Sequence, residues 1–315
     1  MGSNSTLDQE KDWEFRVLID DTFLNLCSDE VTPIENKNVL SISCDFEGGA
    51  WRYDKFQNFI WDNIAETSLS HRERESLAGN SHTLLVEAAK NLRFTDKELN
   101  QGSELAEIVL YGVMKRHYGA LAVVPKIFYK QNSQDNAKGA DSVHIVLEGA
   151  NDFSIWFGEA KFYNSIEDSR LLEIVKSVGN SLKTNKLKKE NSIISNVTDI
   201  DNLVTDEALR EKIKAALSSR NSIDALKPKI NIPILLLHEC QITAVSTELS
   251  AEYIEQLKAQ HIDRATSYFK KQINVLAQSI HKYSEVTFHI ILLPVPDKAL
   301  VVDKFLGAIE HFKGT

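Results

Sequence analysis

Cysteine is scarce in this sequence, and no two cysteines lie close together. The 315 residues contain three cysteines, namely Cys27, Cys44 and Cys240. An odd number cannot all pair within one chain, and no C-x-x-C motif occurs, which argues against a disulfide framework and against a cysteine-based zinc site. We therefore expect three reduced thiols in a cytoplasmic protein.

Long hydrophobic segments are also missing. The longest candidate, Ile230 to Leu237, has the length of a strand and is bounded by Lys229 and His238, whereas a membrane helix needs about 20 apolar residues. The N-terminal residues lack the basic start and the apolar run of a signal peptide. Both absences predict a protein that lies in the cytoplasm and does not contact a membrane.

Positive charge is in deficit, since 36 lysines and arginines face 45 aspartates and glutamates, for a net charge of −9. This balance argues against a protein that coats nucleic acid unaided. The sequence has no G-x-x-x-x-G-K-[ST] phosphate-binding loop and no H-E-x-x-H motif. The chain is therefore not expected to be an ATPase, and any motor must be a separate subunit.

The order of periodic segments predicts an α/β (α+β) fold. Residues 1–95 are interpreted as an N-terminal α+β lobe and a candidate partner-binding region. Residues 96–315 are interpreted as the main domain, with helical and strand additions at its C-terminal end. Within it, the pattern predicts a helix from Ser103 to Tyr118, strands near 121–129, 141–147 and 153–163, and a helix over 166–182.

Three charged residues lie on two of these predicted strands: Asp141, Glu159 and Lys161. Because a turn separates the strands, an antiparallel hairpin would place Asp141 beside Glu159, and strand alternation puts Glu159 and Lys161 on one face. Two carboxylates there would supply oxygen ligands for Mg²⁺. The lysine could orient or deprotonate an attacking water, or stabilise phosphate charge. Glu104, on the preceding helix, is a candidate third carboxylate.

The surroundings of this group favour a functional role. Gly139 and Gly158 precede the charged positions and leave space for a close approach. Glu159 and Lys161 interrupt an apolar strand, where buried charges are costly unless they are paired or functional. A structural ion pair is the alternative interpretation.

A run of basic residues follows the site. These lysines are candidates for contacts with DNA phosphates, and a solvated helix end is the alternative. The run comprises Lys176, Lys183, Lys186, Lys188 and Lys189, and Lys138 on the loop before Asp141 is a weaker candidate. His144 should face away from Asp141 and is interpreted as structural, while adjacent His238, Glu239 and Cys240 cannot all face one metal ion from a strand.

Three segments together carry a family resemblance: Gly102 to Tyr111, Lys138 to His144, and Trp156 to Tyr163. They resemble the HamA family, the nuclease subunits of the Hachiman antiphage defence system. The resemblance implies a PD-(D/E)xK restriction-endonuclease-like core, with a mixed central sheet flanked by helices. It also implies a DNA nuclease that depends on Mg²⁺, with Mn²⁺ as a substitute, and acts with the helicase HamB.

The same resemblance implies a role for each site residue. Glu104 would be the helix acid, and Asp141 and Glu159 the metal ligands. The Ala160 carbonyl would join them, and Lys161 would be the catalytic lysine. Ala140 stands where the superfamily name has proline.

Two other functions remain open at this point. The same fold can serve as a catalytically silent subunit that binds DNA or regulates a helicase. It can also serve as a DNA repair or recombination nuclease, which substrate comparison would separate from a defence nuclease.

Overall fold

A computed structural model describes residues 13–27, 36–92, 102–125, 127–128, 140–149, 151–196, 199–218 and 220–314. The strands are β1 (Arg16–Thr22), β2 (Lys37–Ser43), β3 (Phe46–Glu47), β4 (Ala50–Trp51), β5 (Leu121–Val124), β6 (Ser142–Glu148), β7 (Asp152–Tyr163), β8 (Ile230–Glu239) and β9 (Thr287–Val295).

The helices lie between or after these strands, partly in groups of four or five. They are α1 (Phe23–Leu26), α2 (Tyr53–Ser68), α3 (His71–Ser76), α4 (Ser81–Lys90), α5 (Ser103–Tyr118), α6 (Asp168–Ser181), α7 (Thr184–Asn196), α8 (Asp199–Leu203), α9 (Glu207–Leu217), α10 (Ile223–Leu226), α11 (Gln241–Val245), α12 (Ala251–Leu276) and α13 (Lys298–Lys313).

A mixed sheet of seven strands forms the centre, in the order β1-β2-β9-β8-β7-β6-β5. The pairs β2–β9, β9–β8 and β8–β7 are parallel, whereas β1–β2, β5–β6 and β6–β7 are antiparallel. The parallel pairs need long crossovers, which the helices supply, while β6 and β7 are joined by a short turn. The predicted α/β fold with a mixed sheet flanked by helices is confirmed.

Strand β7 is buried on both faces, which explains its apolar sequence. Ile155 and Phe157 pack into the core beneath α6 and α12, and Trp156 and Phe162 pack into a second core with α2, α5 and α13. Charged residues in such a strand must be paired or functional, because burying an uncompensated charge is costly.

The predicted N-terminal lobe contributes directly to the central sheet. β2 pairs in parallel with β9, and β1 forms the edge beside β2. The sheet therefore crosses the boundary predicted at residue 95. Within the part of the chain that the structure describes, no helix combines the length and apolarity needed to cross a membrane.

Candidate active site

The β6–β7 hairpin brings Asp141 and Glu159 together. Ser142 pairs with Gly158 across the ladder, and the Asp141 backbone N–H donates to the Gly158 carbonyl at 2.8 Å. The Asp141 carboxylate in turn accepts from the Ala160 N–H at 3.0 Å. Asp141 therefore lies beside Glu159, as the hairpin predicts.

Lys161 completes this group from the same face of β7. Its Nζ lies 2.7 Å from Glu159 Oε1 and 3.5 Å from Asp141 Oδ2. The same ammonium donates to the Ala160 carbonyl at 3.2 Å. Three oxygens, from two side chains and one backbone carbonyl, thus converge on one cationic nitrogen.

Burial and neighbouring charges shift the pKa values of Glu159 and Lys161. Burial and the charge of Asp141 raise the pKa of Glu159, although Lys161 and Ser177 oppose the shift. Burial lowers the pKa of Lys161, but the nearby carboxylates of Asp141 and Glu159 outweigh it and hold that pKa above its ordinary value. In this arrangement Lys161 is an ammonium at neutral pH, and it acts as a charge and a hydrogen-bond donor.

Two helices contact the carboxylate pair or the residue that precedes it. Ser177, on α6, donates from its hydroxyl to Glu159 Oε1 at 2.6 Å. Glu190, on α7, accepts the backbone N–H of Ala140 at 3.1 Å. The sequence patterns gave no indication of either contact, because each depends on how a helix packs against the hairpin.

The two acidic residues of α5, Glu104 and Glu107, lie in different surroundings. Glu104 is half-buried in the first turn and interacts electrostatically with Lys313. Glu107, one turn later, is 7% exposed and lines a cavity of about 10 Å³ together with Asp141 and His144. Glu107 is not among the predicted site residues, and the signal that indicates it is a carboxylate inside an otherwise apolar helical run.

His144 packs against Tyr111 of α5 and lines the same cavity as Asp141, although strand alternation predicted that the two side chains face opposite ways. Its ring centroid is 5.4 Å from that of Tyr111, and complete burial lowers the pKa of His144 to about 3. The imidazole is therefore neutral at physiological pH.

The adjacent residues His238, Glu239 and Cys240 turn to three different partners. His238 Nε2 lies 3.2 Å from His261 Nε2, the Glu239 carboxylate accepts the Lys298 N–H, and Cys240 contacts Gln260. Each of the three side chains therefore has its own polar partner.

The predicted basic run lies on the two helices that hold the carboxylates. Lys176 is on α6, Lys183 follows it, and the other three are on α7. Lys176, Lys183 and Lys188 are exposed, and Lys186 and Lys189 are partly exposed. Lys138 lies outside the described residues.

The donor set fits a hard divalent cation. Among the described residues, no cluster of three or more His, Cys, Asp or Glu side chains is arranged to hold a metal. Mg²⁺, however, is commonly bound by one or two carboxylates, with waters and substrate phosphates completing its shell. Asp141, Glu159 and the Ala160 carbonyl supply three oxygens of that kind, and they already surround a positive charge at Lys161 Nζ.

A family model for HamA matches residues 21–309, which include the hairpin, α5, α6 and α7. The chain belongs to the HamA family. Family membership makes it an antiphage defence protein. The HamA match begins within β1 and ends within α13, so it contains the other six strands of the central sheet completely and is not confined to the hairpin. A comparison with curated protein sequences finds no match.

Proposed function

We propose that this HamA-family chain is a metal-dependent DNA endonuclease that hydrolyses phosphodiester bonds and works with a separate helicase subunit. The observation that supports the proposal is the convergence of Asp141, Glu159 and the Ala160 carbonyl on the ammonium of Lys161. The Lys161 side chain is 31% exposed, whereas its strand neighbours Ala160 and Phe162 are buried, and it can therefore reach a substrate.

Each residue then has a defined task. Asp141, Glu159 and the Ala160 carbonyl would hold Mg²⁺, or Mn²⁺ in its place, and such an ion supplies charge stabilisation for phosphoryl oxygens when bound. Lys161 donates hydrogen bonds to a phosphate oxygen or to the attacking water, and so orients the reacting groups. Of the two α5 acids, Glu107 is the better placed to support Asp141, because the two line one cavity.

DNA binding would rest on the local lysines rather than on the net charge. Lys176, Lys183 and Lys188 are exposed on or between α6 and α7, the helices that carry Ser177 and Glu190. Each phosphate contact that lysine makes with duplex DNA adds about 0.9 to the salt-dependence slope of binding. Replacing the three together should reduce that slope, measured by fluorescence anisotropy across salt concentrations. Unchanged salt dependence would place the DNA elsewhere.

The direct test is cleavage of supercoiled plasmid by the purified chain, alone and with its helicase partner, in Mg²⁺ and in EDTA. Activity should require the metal and be lost in Glu159→Gln but retained in Glu211→Gln, whose side chain is exposed on α9. Comparing linear, branched and single-stranded substrates separates a defence nuclease from a repair nuclease.

A second candidate function is a catalytically silent subunit that regulates the helicase. It is favoured by one observation, namely that the Lys161 ammonium already pairs with both carboxylates, as in a structural ion pair. Metal binding distinguishes the two. A ligand that binds only the folded state stabilises it by about 2.7 kcal/mol at 100 times its Kd, so Mn²⁺ should stabilise the wild-type chain and not Asp141→Asn. Equal responses would favour the silent subunit.

A further inference from the structure

Glu190 is an acidic residue that points inward from a basic helix. Its neighbours Lys188 and Lys189 on α7 are exposed or partly exposed, whereas Glu190 is 3% exposed. Burying a carboxylate is costly unless hydrogen bonds or charges compensate it. Here the carboxylate accepts the backbone N–H of Ala140 at 3.1 Å, across 50 positions of sequence.

That N–H belongs to the residue directly before Asp141. Downstream of it, the Asp141 N–H donates to the Gly158 carbonyl, and the Asp141 side chain accepts from the Ala160 N–H. The hairpin thus fixes Asp141 from the β7 side, and Glu190 fixes the preceding peptide from the α7 side.

We propose that Glu190 is a positioning residue that sets the placement of Asp141 and couples it to the lysines of α7. The inference rests on the proposed nuclease function and deepens it. Phosphates bound by Lys186 and Lys188 would hold α7 against the hairpin and strengthen the Glu190–Ala140 hydrogen bond. The carboxylate pair would then be best ordered when DNA is present.

The test uses Glu190→Ala and Glu190→Gln in the full chain, with Glu173→Ala as the control, since Glu173 is exposed on α6. Glutamine keeps an oxygen that can accept the Ala140 N–H, and alanine does not. The first readout is amide hydrogen exchange over residues 140–142 without metal. The second is Mn²⁺ affinity by calorimetry.

Glu190→Ala should speed exchange over 140–142 and weaken Mn²⁺ binding by about 10- to 100-fold, the usual effect of removing a group that orients a metal ligand. Glu190→Gln and the control should stay close to wild type. A DNA duplex added in EDTA should slow the exchange in wild type and not in a Lys186→Gln/Lys188→Gln double variant.

Wild-type exchange and affinity in Glu190→Ala would overturn the positioning role, as would losses of equal size in Glu190→Gln. DNA protection that survives the double lysine variant would overturn the coupling. The exchange readout needs no metal. A wild-type chain that binds no Mn²⁺ but shows faster exchange in Glu190→Ala would therefore count against the nuclease proposal while leaving the contact established.

Discussion

The ammonium of Lys161 lies 2.7 Å from Oε1 of Glu159, two residues earlier on the same face of β7. Strand alternation alone creates this neighbour relation, since residues i and i+2 point the same way. The short β6–β7 turn then adds Asp141 to the pair. A group of two carboxylates and one ammonium follows from a strand, a turn and one packed helix.

The first prediction concerns the stability that Lys161 provides. Lys161→Met leaves two carboxylates without their ammonium partner, and it should lower the free energy of unfolding by about 1–3 kcal/mol. This loss is smaller than the ~3–5 kcal/mol expected when one partner of a fully buried ion pair is removed, because Lys161 is partly exposed. Added Mg²⁺ should restore part of the loss. Urea denaturation with and without Mg²⁺ measures both effects.

The control for this experiment is Lys258→Met, because Lys258 has a similar exposure, 35%, and pairs with Glu255 on its own helix. Its effect should stay within about 0.5 kcal/mol, as is usual for surface substitutions. If both variants lose the same stability, Lys161 does not compensate the carboxylates.

The second prediction concerns the close packing around Gly158. A Cβ at position 158 would lie 2.1 Å from Ser142 Oγ and 2.7 Å from Leu110 Cδ2. Gly158→Ala should therefore destabilise the chain by about 1–3 kcal/mol, the usual cost of overpacking. Gly307→Ala is the opposite case, because nothing lies within 4 Å of its Cβ, and alanine should gain about 0.5–1 kcal/mol in a helix interior. Thermal unfolding of both variants checks the contrast, and a stable Gly158→Ala would contradict it.

The third prediction concerns Ser177, which donates to Glu159 Oε1. Ser177→Ala should weaken Mn²⁺ binding by at least about tenfold, because the oriented carboxylate loses its support. The matched control is Ser267→Ala, which removes a 2.7 Å bond of the same kind to Asp168. Calorimetry compares the two, and equal Mn²⁺ affinities would show that Ser177 has no role in orienting Glu159.

The fourth prediction concerns acid stability and two buried histidines. Burial lowers the pKa of His238 to about 4, and burial together with the charge of His238 lowers that of His261. The unfolded histidines take up protons near pH 6.5, whereas the folded ones do not. This contribution to stability is therefore complete above pH 6.5 and is lost as the pH falls towards 4, at about 1.4 kcal/mol per pH unit for each histidine.

Urea denaturation at several pH values between 4.5 and 7.5 measures that slope. His238→Gln should reduce it, since glutamine does not titrate. His281→Gln should leave it unchanged, because His281 is exposed. Identical slopes in all three proteins would show that the buried pair does not control acid stability.

Local patterns predicted those parts of the molecule that depend on neighbours in sequence. The hairpin and the shared face of Glu159 and Lys161 follow from period-two alternation and one turn. Their chemical roles remain predictions. The order of the sheet was not predictable in this way, because β2 pairs with β9 across some 250 residues, and periodicity carries no information about such pairing.

The supporting residues could not be predicted for the same reason. Glu107 shares a cavity with Asp141, and Ser177 and Glu190 hydrogen-bond to the hairpin, in each case because of how a helix packs. The segments around Ser177 and Glu190 have the pattern of ordinary amphipathic helices. Only Glu107 could be recognised from its own segment, because it is a charged residue within a buried apolar run. The lysines were visible in the sequence, but their placement on the helices that hold the site was not.

The measurement that tests the central claim most directly is the initial rate of plasmid nicking in Mg²⁺ by Asp141→Asn, Glu159→Gln and Lys161→Met. Each should lower the rate by at least about 10²-fold, the scale seen when one transition-state contact is removed. Lys258→Met and Glu211→Gln should stay close to wild type. Wild-type nicking by all three site variants, with folding verified by circular dichroism, would contradict the account.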